Sequence, residues 1–109
     1  MITRVTIKRN QSAASRHLSQ LTKGPITIGK LLEAIRLGEE MSQPQFSKIL
    51  GISKSHLNDI EKGNKSISPE RAAKFARLLG YSTERFVTLS LQARLDQAGL
   101  NLIVNVKAA

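Results

Sequence analysis

The stretch Met41-Ser-Gln-Pro-Gln-Phe-Ser-Lys-Ile-Leu-Gly-Ile-Ser-Lys-Ser-His-Leu-Asn-Asp-Ile-Glu-Lys-Gly63 reads as two short helices and the turn that joins them. Ser42-Gln-Pro-Gln has the spacing of a capping box, with Ser42 at the N-cap and Gln45 three residues on. Pro44 falls in the first turn, where its missing N–H does no harm. The helix so begun presents Phe46, Ile49 and Leu50 on one side and stops at Gly51, where a left-handed residue is least strained. Ile52 packs in the turn, and Ser53 caps the next helix, whose buried edge is Leu57 and Ile60 and whose end is Gly63.

The same punctuation continues outward. Upstream, Thr27 caps a helix that turns Ile28, Leu31, Leu32 and Ile35 inward and ends near Gly38. Downstream, Ser68-Pro69 is an N-cap followed by proline at the first helical position, and that helix carries Ala72, Phe75, Ala76 and Leu79 to Gly80. Ser82 begins a fifth helix over 83–98, ended by Gly99. It has two apolar stripes: Phe86, Leu89 and Ala93 on one, Val87, Leu91, Leu95 and Ala98 on the other. One stripe can face the core; a dimer mate is the simplest partner for the second.

The ends differ in character. Residues 1–8 alternate, with Thr3, Val5 and Ile7 on one side, and read as a short strand. Residues 9–26 are polar and basic and leave two readings open: a helix over Ser12 to Leu21, or a flexible arm. At the other end, Leu102, Ile103, Val104 and Val106 argue for a strand over 102–106, which must pair with 2–8 or with its copy in a second chain. The expected architecture is mainly α, five helices with short terminal β-strands. It divides into a basic arm (1–26), a helical domain (27–81) and a dimerisation element (82–109) that includes Val87, Leu91, Leu95, Ile103 and Val104.

Seventeen Lys and Arg against eight Asp and Glu give a formal net charge of +9, which concentrates a chain near polyanions. With one Tyr, three Phe and no Trp, rings for stacking single strands are scarce, so the expected polyanion is a duplex. Absent cysteine excludes disulfides and thiolate metal sites. No long apolar run is present, so a membrane span or secretory signal is not expected, and the expected setting is cytoplasmic and nucleoid-associated.

Two helices joined by a turn of about four residues can lay one helix across a DNA backbone and seat the next in the major groove. At the helical period, Lys54, Ser55, Asn58 and Asp59 share the face opposite Leu57 and Ile60. Their chemistry suits base edges: Lys donates to guanine, Asn pairs with adenine, Asp accepts from cytosine, and Ser does either. A solvated helix face has similar composition, so the surrounding punctuation supplies much of the weight.

The run from Ile28 to Tyr81, with Gln43 opening the second helix, Gly-Ile-Ser in the turn, Ile-Glu-Lys-Gly closing the third helix and Leu-Leu-Gly closing the fourth, resembles the Cro/cI-repressor-like (Xre) helix-turn-helix family. The resemblance implies that Gln43 anchors the backbone of its helix to a phosphate and that Lys54, Ser55 and Asp59 read bases, with Asn58 at their edge. It implies phosphate contacts from Lys62, Asn64 and Lys65, and a structural salt bridge between Arg36 and Glu61. Ser47 stands where the family often has Ala, and Asp59 brings an acid close to phosphates, reading a cytosine or lowering non-specific affinity. Residues 83–106, with the separate N-terminal extension, are also similar to the tails of HigA-like antitoxins of type II toxin–antitoxin pairs. That implies a homodimeric, autoregulating repressor that neutralises a toxin. A stand-alone repressor without a toxin, or a protein-bridging module, are the alternatives.

Catalysis is not expected. His56 and Asp59 lie three apart on one helix, but Ser53 beside them is a cap, His17 stands alone, and no glycine-rich phosphate loop follows a strand. Two histidines without cysteine make a poor metal site, and no cofactor is expected.

Overall fold

The structure is a computed structural model, which describes residues 11–21 and 25–109. Among them the chain forms α1 (Gln11–Leu21), α2 (Ile28–Gly38), α3 (Gln43–Leu50), α4 (Lys54–Glu61), α5 (Pro69–Leu79) and α6 (Thr83–Gln97). Five of these begin on a hydroxyl cap. Thr27, Ser42, Ser53, Ser68 and Ser82 each accept a hydrogen bond from the backbone N–H three residues on, satisfying donors that the first turn leaves open. At Ser42 the box is reciprocal, because the Gln45 side chain also accepts from the Ser42 N–H at 2.9 Å.

Between α3 and α4 the backbone passes through Gly51 at φ +73°, a left-handed conformation that an L side chain occupies only under strain. The α2–α3 connection turns instead through Glu40 at φ +56°, with no glycine to mark it. The core gathers Leu32, Ile35, Phe46, Leu50, Leu57, Ile60, Phe75, Leu79 and Phe86, all essentially buried. Phe86 brings the first half of α6 into that core.

Close helix approach sets the position of α4. A β-carbon built on Gly29 would fall on the carbonyl oxygen of Ile60, so α2 and α4 meet backbone to backbone only because this residue has no side chain. Ser47 is buried between the helices, and its hydroxyl donates to the Pro44 carbonyl at 3.0 Å. The small hydroxyl therefore fits with its polar group satisfied.

Two expectations are corrected. The described residues hold six helices, not five: α1 forms because Ala13 and Ala14 bury themselves against α2, where a β-carbon on Gly38 would lie 2.9 Å from the Ala14 nitrogen. The terminal β-strands are not supported. Residues 102–106 form no strand, because their backbone meets a side chain and not another strand. Gln92 Nε2 donates to the Leu102 carbonyl at 2.8 Å, and the Val104 N–H donates to Gln92 Oε1 at 2.9 Å. The expected strand over residues 1–8 lies outside the described residues. Among the described residues, no helix is long and apolar enough to cross a membrane.

Candidate nucleic-acid interface

Leu57 and Ile60 anchor α4 in the core, which turns its opposite face outward. On that face Lys54 and Ser55 are exposed and Asn58 and Asp59 half-buried, so all four stand on one side of one helix. The chain beyond α4 is tied back to it. Asn64 and Lys65 donate their backbone N–H groups to the Asp59 carbonyl at 2.8 and 3.3 Å, and the Lys62 N–H donates to the Asn58 carbonyl at 3.0 Å. The exposed Lys62, Asn64 and Lys65 therefore form a basic and polar loop fixed to the end of the same helix.

Beneath this face lies a polar network. Arg36 on α2 grips Glu61 at the end of α4 with two bonds, Nε to Oε2 at 2.9 Å and Nη2 to Oε1 at 3.0 Å. The side chains are only 12% and 3% exposed, so the pair sits largely out of water. The remaining arginine fork donates to the Met41 carbonyl at 3.1 Å and steadies the loop into α3. Gln43 at the start of α3 closes the network. Its Nε2 donates to Glu61 Oε1 at 3.1 Å and to Asn58 Oδ1 at 3.2 Å. One ion pair thus links all three helices around the turn.

Glu33, one turn before Arg36, feels this arrangement from outside. Burial raises its carboxyl above the ordinary value of 4.5, the Glu61 charge raises it further, and Arg36 lowers it in part.

A family model described as helix-turn-helix matches residues 32–86, from within α2 to Phe86 and so half of the chain. The chain belongs to this helix-turn-helix family. It is of the Cro/cI-like kind, and the domain marks a sequence-specific DNA-binding regulator. Neither the curated proteins nor the solved structures gave a match.

Within the helix-turn-helix domain, the structure brings Lys54, Ser55, Asn58 and Asp59 together with Lys62, Asn64 and Lys65. It sets Gln43 apart from them in one respect. Both Nε2 hydrogens of Gln43 are engaged inside the protein, by Asn58 Oδ1 and Glu61 Oε1, so the side-chain NH2 group has no hydrogen left to offer an outside acceptor. Reading the sequence alone missed Gln43's bond to Asn58 and the close approach at Gly29. The first joins residues fifteen apart through side-chain amides, for which no local pattern exists. A glycine at the second position of a helix was the available sign of the second. Val87, Leu91, Leu95 and Val104 are half-buried in the single chain, whereas Leu100, Leu102 and Ile103 are exposed, Ile103 at 93%.

Proposed function

We propose that this chain is a transcriptional repressor that grips its operator as a homodimer, and that it serves as an antitoxin, repressing its own operon and neutralising a partner toxin. The observation that carries the DNA reading is the outward face of α4, where Lys54, Ser55 and Asn58 stand beside the basic loop 62–65. Phosphates meet Lys62, Asn64, Lys65 and the Gln43 main chain and supply affinity that falls with salt. Lys54, Ser55, Asn58 and Asp59 meet base edges and supply selectivity. The Arg36–Glu61 pair is scaffold. No catalytic step, cofactor or metal enters this mechanism.

The homodimer is supported by apolar surface that the single chain leaves uncovered. Val87, Leu91 and Leu95 are half-buried on α6, and Leu102 and Ile103 are exposed in the tail that follows it. In an extended chain, successive residues present their N–H and C=O groups to opposite edges. Gln92 engages the edge of Leu102 and Val104, and among the described residues nothing pairs with the Ile103 edge, which can take the same segment of a second copy. Two copies of α4 about 34 Å apart would then meet successive turns of one DNA face. The antitoxin part rests on the pieces outside the matched domain, α1 and the tail after α6, which DNA reading does not require.

The test is recovery of the tagged protein from its native cell with and without nuclease. A small stoichiometric protein that survives nuclease, together with enrichment of one promoter, is the expected result. Recovery of one promoter and no protein would leave a stand-alone repressor. A bridging module would show duplex affinity unchanged by Lys54→Ala and Ser55→Ala.

A further inference from the structure

Asn58 is half-buried on the outward face of α4, and its amide has two unlike ends, one accepting and one donating. A free Asn uses both at once to pair with adenine. In this fold it is not free, and its orientation follows from a charge on another helix. Arg36 is always protonated and has no acceptor. It donates to both oxygens of Glu61, a side chain only 3% exposed, so each of those oxygens already serves as an acceptor.

Gln43 must then turn its NH2 group to Glu61, because the opposite orientation would set its carbonyl oxygen against a buried carboxylate oxygen. The same nitrogen lies 3.2 Å from Asn58, which must answer with its oxygen. The polarity passes from guanidinium to carboxylate to Gln43 to Asn58. At the end of the relay the Asn58 Nδ2 group keeps both hydrogens, and among the described residues it has no partner.

We infer that Asn58 is a one-signed reader whose outward NH2 group selects guanine, and that Arg36, Glu61 and Gln43 are the positioning residues that set its sign. The inference rests on the DNA-binding reading above. Guanine offers two adjacent acceptors in the major groove, O6 and N7, which suit a donor-only group. Thymine offers O4 alone. Adenine sets an amino group beside its N7, and cytosine presents its own N4 donor, so the order of preference is guanine, thymine, adenine, cytosine. This replaces the adenine pairing that the residue type alone implies.

The experiment is selection of bound sequences from a randomised duplex library by the full chain, its Asn58→Asp variant and its Gln43→Met variant. Each is checked by circular dichroism for an unchanged helical signal and a cooperative melt. Asn58→Asp keeps an oxygen for Gln43 and turns an acceptor outward. At the one position that responds to Asn58, the wild-type chain should enrich guanine on the order of tenfold over cytosine. Asn58→Asp should invert that preference to cytosine. Gln43→Met, which releases the amide, should admit adenine there. Adenine selected by the wild-type chain, or the same base selected by wild type and Asn58→Asp, would overturn the inference while leaving DNA binding intact. A wild-type chain that enriches no sequence would overturn the DNA reading and this inference with it.

Discussion

Residues 27–97 and the two flanks follow different rules. Inside that span each helix opens on its own Ser or Thr cap, and α3 and α5 close on a left-handed glycine, so boundaries are set within a few residues of themselves. In the flanks, distant contacts decide. α1 is helical where Ala13 and Ala14 meet Gly38, and the tail follows the Gln92 side chain despite its β-branched residues. Strand propensity acts only where a second strand is present to pair with. Local chemistry thus reports where a helix begins and ends; it is silent on whether a lone extended segment finds a partner.

The strongest way to break the contrast is Gly29→Val. Its side chain would strike the Ile60 carbonyl and push α4 off α2, so stability should fall by about 3 kcal/mol in urea unfolding. A smaller loss, about 2–3 kcal/mol, is expected for Glu61→Ala, which leaves Arg36 largely buried with the Met41 carbonyl as its hydrogen-bond acceptor and, among the described residues, only the Glu33 charge to offset its own. In the flank, Gly38→Ala should act on α1 alone. Backbone amides of α1 should exchange faster while those around Phe46 and Leu57 stay protected, with less than about 1 kcal/mol lost overall. A loss as large as that of Gly29→Val would erase the distinction between core and flank.

Glu33→Gln gives the smallest effect and a defined sign. The raised carboxyl binds its proton more tightly in the folded chain than in the unfolded one. Folding therefore takes up protons just above the ordinary value, and stability rises as pH falls through that window. The amide removes the burden of the charged form, so the variant should melt slightly higher than wild type at neutral pH. That advantage should fade as the pH drops into the carboxylate range. A variant that melts lower at neutral pH would show that the attraction to Arg36 outweighs burial and the Glu61 charge.

The helices from 28 to 97 were legible because caps, prolines and glycines are short-range signals, and Leu57 with Ile60 disclosed which face of α4 turns outward. The count of helices was not, since Gln11–Leu21 has an unremarkable local pattern and depends on a docking groove at Gly38. For the site, residue type placed Lys54, Ser55, Asn58 and Asp59 on one face. It left the amide orientation of Asn58 open, because that depends on Gln43 and Glu61, which meet it only once α3 packs on α4.

The most direct measurement of the central claim is duplex affinity for a selected operator and for random DNA, with Lys54→Ala and Lys65→Ala compared to wild type across a salt series. Lys54→Ala should lose about 1–3 kcal/mol on the operator and little on random DNA, since it removes a base contact. Lys65→Ala should weaken both alike and reduce the salt slope by about 1, since it removes a phosphate contact. Equal losses on both duplexes for Lys54→Ala would contradict the assignment of the α4 face as the reader of sequence.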